Sequence, residues 1–274
     1  MLHDLGGDGP PVLLAHATGL HGLVWKPVAD QLSAGMHCWA LDFRGHGDSD
    51  HVHAADITGA YGWGGMADDV LAVVDHLAAR GDDITGLRAV GHSMGGAVVL
   101  LAEQRRPGTF GTLWVYEPVV FPHGEGLPRP ATNPLAGPAR RRRPSFPSRQ
   151  AAYENYATKP PLDALDPDAL HAYVDNGFRD SDDGSVTLKC TPEVEAATFE
   201  GALTTDVYSR LGEVQCPVTV AHGGDGMPPA QVAPIVADRL PHGRVTPFPA
   251  LGHFGPLEDP LAIAAAIRSG VTDG

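Results

Sequence analysis

Residues 87–101 read LRAVGHSMGGAVVLL: a short apolar run, a serine set among glycines, and a second apolar run. Leu87–Val90 has the length of a buried strand. Met94–Arg106 has the length of a helix, stopped by Pro107, with Arg105 and Arg106 at its negative end. Ser93 therefore stands at a strand-to-helix turn in a G-x-S-x-G context. Such a turn is tight, and side chains two residues either side of the serine would collide with neighbouring elements. Gly91 and Gly95 remove those side chains. The helix behind the turn aims its first N–H groups and its positive dipole end at the serine oxygen. The competing role for Ser93 is the N-cap of that helix, the commonest work of serine at such a junction. With 34 glycines in the chain the pattern can arise by chance, so the surrounding sequence has to decide.

Working outward, apolar runs alternate with helix signals. Pro11–Ala15, His37–Asp42, Thr112–Tyr116, Pro217–Ala221 and Arg244–Phe248 read as further strands. Their near-continuous apolar character suits strands covered on both faces. Trp25–Leu32, Asp68–Arg80 with Gly81 just beyond it, Ala230–Leu240 and Pro260–Ser269 read as helices. This order predicts an α/β fold, a doubly wound and mostly parallel sheet with helices on both faces. The alternation breaks over residues 121–211, which are richer in proline and charge and carry helix starts near Asp166 and Thr191. Residues 1–120 and 212–274 read as one core, and 121–211 as an inserted, mainly helical cap.

In sheets of this kind reactive groups sit at the carboxyl ends of the strands. That rule selects His16–Gly19, Arg44–Ser49, Ser93, Glu117, His222–Asp225 and His253. A serine hydroxyl needs a base to take its proton near neutral pH. His92 adjoins Ser93, but a neighbour in a tight turn points away from it. His253, in the glycine-bracketed loop PALGHFGPLEDP after the last strand, is the better candidate, the competing reading being an ordinary loop histidine. Acyl transfer builds negative charge on an oxygen, and two backbone N–H groups should meet it. Met94, directly after Ser93, offers one. Thr18, in the loop HATG after the first parallel strand, offers the other.

Together HATG, DFRGHGDSD, GHSMGG, CPVTVAHGGD and GHFGPLEDP resemble, in order and spacing, the α/β-hydrolase superfamily, in particular its serine-nucleophile, esterase-like members with a cap. The resemblance covers nearly the whole chain. It implies Ser93 as nucleophile, His253 as base and Thr18 and Met94 as oxyanion donors. Three departures stand out. The usual His-Gly after the first parallel strand is His16-Ala17. The antiparallel strands expected at the N-terminus look shortened. The acid that orients the histidine is displaced: most members place an Asp after the strand that follows the cap, where this chain has Gly226, with Asp225 beside it in a shortened loop. Some members carry a Glu at the end of the strand before the cap, and VYEPVVFP puts Glu117 there. A charged residue closing an apolar strand needs a partner. Glu117 is the preferred acid and Asp225 the alternative.

A serine nucleophile separates this chain from relatives that attack with Asp, and so from epoxide hydrolysis and dehalogenation. The expected reaction is hydrolysis of an ester, thioester or lactone of a small-to-medium apolar substrate through an acyl-enzyme. The alternatives are acyl transfer, carbon–carbon hydrolysis, perhydrolysis, or a ligand receptor with little turnover. Phe121, Phe146, Tyr153, Tyr156, Tyr173 and Phe178 could line an apolar pocket or form the cap's own core. Arg140–Arg143 could steer an anionic substrate, or be a solvated loop.

The remaining composition excludes more than it assigns. A net charge of −14 argues against nucleic-acid or anionic-membrane partners, and leaves a small-molecule substrate. Homo-oligomerisation is left open. The start MLHDLGGDGPP has no secretory pattern, so a cytoplasmic location is the expectation. Cys38, Cys190 and Cys216 lack metal or disulfide spacing. His46, Asp48, Asp50, His51 and His53 are dense in potential ligands but lack the spacing of a metal helix. They read as a polar loop, and no metal or cofactor is expected.

Overall fold

A computed structural model of the 274-residue chain describes residues 1–52, 57–123, 128–224 and 226–272. The first half contributes β1 (Leu2–Gly6), β2 (Pro11–Ala15), α1 (Lys26–Leu32), β3 (His37–Leu41), α2 (Ile57–Ala60), α3 (Trp63–Arg80), β4 (Arg88–His92), α4 (Met94–Arg105) and β5 (Thr112–Tyr116). Then follow α5 (Ala136–Arg140), β6 (Ser145–Phe146), α6 (Arg149–Tyr156), α7 (Pro167–Gly177), β7 (Phe178–Asp180), β8 (Val186–Leu188) and α8 (Pro192–Gly201). The chain closes with β9 (Val218–Gly223), α9 (Pro228–Arg239), β10 (Gly243–Phe248), α10 (Gly255–Glu258) and α11 (Pro260–Thr272).

Seven strands form one sheet in the order β1-β3-β2-β4-β5-β9-β10. β1 runs antiparallel to β3, and the other pairs are parallel. All five residues of β2 are buried, as expected of a strand covered on both faces. The register sets the site. Ala15 lies opposite Gly91, His92 opposite Tyr116, and Tyr116 opposite Ala221. The residues that leave β2, β4, β5 and β9 therefore emerge side by side along one edge. Among the described residues, no helix is long and apolar enough to cross a membrane. The three cysteines are free and buried, and burial pushes the Cys38 and Cys216 thiols up to about 12.

One expectation about elements is corrected. α3 starts at Trp63, not Asp68. In its first turn the missing side chains of Gly64 and Gly65 admit two arginines to the helix backbone. Arg105 donates to the Gly64 carbonyl at 2.6 Å, and Arg44 to the Gly65 carbonyl at 3.1 Å. The segment between β5 and β9 also carries a three-stranded antiparallel sheet, β6-β8-β7, besides its helices. Strands of two or three residues are too short to show a period of two.

A tight backbone constraint lies under Ser93. A Cβ on Gly95 would sit 2.3 Å from the Ala15 carbonyl oxygen, and one on Gly91 would sit 2.6 Å from the Gly96 backbone. A helical glycine normally gains stability on replacement by alanine. Gly95→Ala should instead cost about 3 kcal/mol, because it overpacks backbone against backbone. Gly81→Ala, at φ 89° in open space, should cost only about 1 kcal/mol. Urea unfolding measures both, and equal costs would contradict the crowding argument.

Candidate active site

Among the described residues, Ser93 and Glu117 are the non-glycine residues with positive φ, at 54° and 43°. Backbone of this kind is strained and persists only where its surroundings enforce it. For Ser93 the enforcement is explicit. Its N–H donates to the Tyr116 carbonyl at 2.9 Å, and its carbonyl accepts from Val119 at 3.2 Å and Ala97 at 3.2 Å. For Glu117, its N–H donates to the Ala221 carbonyl at 2.8 Å. Each turn is thus clamped by the next strand.

The loop after β10 brings His253 to the same edge. The Tyr116 hydroxyl donates to the Gly252 carbonyl at 2.8 Å, and the Gly252 N–H donates to Glu258 Oε2 at 2.7 Å. His92 Nε2 lies 2.8 Å from the His253 carbonyl oxygen. Burial, with the neighbouring His253 adding to it, pulls the His92 pKa down to about 3. The ring is therefore neutral and gives its one proton to that carbonyl. His92 is no base for Ser93; it holds the loop that carries His253.

The side chains then meet. His253 Nε2 lies 3.2 Å from Ser93 Oγ, and His253 Nδ1 lies 2.6 Å from Glu117 Oε2. The other carboxylate oxygen of Glu117 accepts the Gly223 N–H at 2.8 Å. Glu117 is fully buried while His253 is partly open. A carboxylate at Nδ1 fixes the proton there and leaves Nε2 as the acceptor facing the serine hydroxyl. The alternative acid, Asp225, lies outside the described residues.

Thr18 and Met94 are brought together at the mouth of the turn. Thr18 Oγ1 lies 3.4 Å from Met94 Sδ, and among the described residues neither backbone N–H is spent on a protein acceptor. His16 stiffens the loop that holds Thr18. It bonds the Ala17 carbonyl through Nδ1 at 2.8 Å and accepts the Phe43 N–H through Nε2 at 3.1 Å. Burial, reinforced by His46, keeps the His16 ring neutral. This histidine was selected by position alone; its partners explain it. Gly91 and Gly95 provide the room described above.

The polar loop DFRGHGDSD is organised by buried Asp42. Its Oδ1 accepts the Gly22 N–H at 2.6 Å, and its Oδ2 accepts the Asp48 N–H at 2.8 Å and meets His3 Nε2 at 2.8 Å. Asp48 pairs with Lys189 at 2.6 Å, and His46 Nδ1 bonds the Arg44 carbonyl at 3.0 Å. His53 lies outside the described residues. The arginine run is mostly engaged: Arg140 pairs with Glu193 and Glu200, Arg142 with Glu195, and Arg143 covers the Phe146 ring. Phe146, Tyr156, Tyr173 and Phe178 pack on one another, so these four rings serve as core. Tyr153 stacks on His171.

A strained serine, a histidine and a buried carboxylate thus stand in one hydrogen-bonded line at the carboxyl edge of a mostly parallel sheet. The profile described as the alpha/beta hydrolase family matches residues 12–266, and the chain belongs to that family. It is similar to protein phosphatase methylesterase 1 of Bos taurus, 34% identical over 101 residues, 36% of this chain and 25% of that one. The match thus spans about a quarter of the length of that curated relative. Pimeloyl-(acyl-carrier protein) methyl ester esterase of Chromobacterium violaceum is 26% identical over 257 residues, 90% of this chain and 88% of that one. Among solved structures, the peroxisomal alpha-beta-hydrolase Lpx1 of Saccharomyces cerevisiae shares the fold. Its TM-score is 0.79 at 17% identity, over 98% of this chain and 77% of that one.

The buried histidines around the site make stability depend on pH. Burial pulls His21 and His46 down to about 4 and His92 to about 3, from an ordinary 6.5. Below pH 6.5 the unfolded chain takes up protons that the folded chain refuses. Each such group then removes about 1.4 kcal/mol of stability per pH unit. Unfolding free energy should be flat with respect to these groups above pH 6.5 and fall steeply from there to pH 4. Urea titrations across that range measure it, and a flat profile would contradict the burial of neutral rings.

Proposed function

We propose that the protein is a serine hydrolase that cleaves a carboxylic ester, thioester or lactone of a small-to-medium apolar substrate through an acyl-enzyme. The observation that carries this reading is the continuous line from Ser93 Oγ through His253 to Glu117, with contacts of 3.2 and 2.6 Å. In the first step His253 Nε2 accepts the Ser93 proton as Oγ attacks the acyl carbon. The new imidazolium is held by Glu117, which keeps its ring oriented. The Thr18 and Met94 N–H groups meet the oxygen as it becomes negative. The leaving alcohol takes the proton back from Nε2. Water then repeats the sequence and frees the acid.

The esterase names of the methylesterase and of the pimeloyl ester esterase support ester cleavage in a relative of this chain. Residues 121–211 act in this reading as a cap over the site. Four of the aromatic rings of this segment are engaged with one another, so the acyl chain accepted is left to experiment.

A panel of p-nitrophenyl esters of graded chain length tests the reading. The wild-type protein should turn over the shorter members, and Ser93→Ala should lose at least about 10⁴-fold in kcat. Turnover equal in both proteins would refute it. Glu117→Gln should lower kcat by about 10²–10⁴-fold, because the histidine loses its fixed tautomer and its counter-charge. Asp225→Asn should stay within about threefold of wild type, far short of the loss expected for the triad acid. The reverse pattern would transfer the acid to Asp225.

A further inference from the structure

Of the four consecutive arginines, Arg142 is turned inward. Nη1 donates to Glu195 Oε2 at 2.8 Å, and Nη2 donates to the Tyr156 hydroxyl at 3.2 Å and to the Tyr173 hydroxyl. The guanidinium also lies over both tyrosine rings. Glu195, on α8, is 8% exposed. Both partners belong to the segment between β5 and β9.

This pair reaches out of its own segment at Gly19. Gly19 follows Thr18 and has φ 77°. A Cβ on Gly19 would lie 2.7 Å from Glu195 Oε1 and 3.4 Å from Arg142 Nη1. The carboxylate therefore fills the space that a side chain at Gly19 would take. The same loop is gripped again two residues later, where His21 stacks on Tyr173 and bonds its carbonyl at 3.2 Å. A bare carboxylate at Gly19 would oppose negative charge growing on a substrate oxygen at Thr18. The bonded guanidinium cancels that charge.

We propose that Arg142 and Glu195 form a positioning unit for the oxyanion loop: Glu195 wedges against Gly19 and sets the Thr18 N–H, and Arg142 neutralises the wedge. The proposal rests on the reading of Ser93 as nucleophile and Thr18 as oxyanion donor. It gives the inserted segment a part in the chemical step, separate from any part in admitting substrate.

The test is kcat and KM for p-nitrophenyl butyrate in wild type, Arg142→Met, Glu195→Gln, the double variant and Arg142→Lys, with Ser93→Ala alongside. Arg142→Met leaves an uncompensated carboxylate beside the loop, and kcat should fall about 10- to 100-fold, less than the loss of a whole oxyanion donor. Its KM should stay within about threefold, because the loss falls on the transition state. Glu195→Gln should fall about threefold to tenfold, since shape is kept and charge removed. The double variant should recover at least about fivefold over Arg142→Met, because no bare charge remains. Arg142→Lys should stay within about tenfold of wild type, keeping the charge but not the planar fork. It remains a usable variant should Arg142→Met fail to fold, and a loss beyond tenfold in folded Arg142→Lys would overturn the proposal. So would a double variant as impaired as Arg142→Met, or a change confined to KM. Unimpaired turnover in Ser93→Ala would instead overturn the underlying reading, and the positioning role with it.

Discussion

The structure depends on one close approach, that of the first turn of α4 to the end of β2. Gly95 lies against the Ala15 carbonyl, and Gly91 against the backbone of Gly96. Neither position tolerates a side chain. With that contact closed, the loop after β2 and the start of α4 share one wall, and Thr18 and Met94 stand next to each other. The turn between β4 and α4 is tight, and Ser93 takes its strained backbone, with φ 54°. The glycines of GHSMGG are thus a packing requirement first, and a condition for chemistry as a result.

The second organising feature is the burial of Glu117. A fully buried carboxylate is costly unless its oxygens are satisfied. Here one accepts a backbone N–H from β9 and the other meets His253. The carboxylate therefore ties three elements together: the end of β5, the end of β9 and the loop after β10. Its strained φ mirrors that of Ser93, so two adjacent strands end in enforced turns at one edge. Two further histidines at this edge, His16 and His92, are buried and neutral. His16 spends both ring nitrogens on backbone and His92 its Nε2, which gives them a scaffolding part that their positions alone did not reveal.

Much of this was legible in the sequence, for physical reasons that can be named. The strands β2, β4, β5 and β9 are covered on both faces, and continuous apolar runs announce such strands. Asp166 and Thr191 cap their helices as their residue types suggest, each side chain accepting a backbone N–H. The early start of α3 stayed hidden because Gly64 and Gly65 are used to admit arginines, an interaction between distant parts of the chain. The strands β6, β7 and β8 have too few residues to carry a pattern. The choice between Glu117 and Asp225 turns on register across the sheet, which spacing along the chain does not encode. The arginine run looked like a single feature. Arg140, Arg142 and Arg143 are separately engaged, and Arg142 faces inward, because a helix and the turn after it present successive side chains to different surroundings.

The proposed chemistry depends on activation of Ser93 by His253. Intact-mass spectrometry after brief exposure to a fluorophosphonate tests it most directly, followed by mapping of the labelled peptide. The account predicts one adduct per chain, located on the peptide containing Ser93, absent in Ser93→Ala and strongly slowed in His253→Ala. An unlabelled wild-type protein, or an adduct formed equally well in His253→Ala, would contradict it.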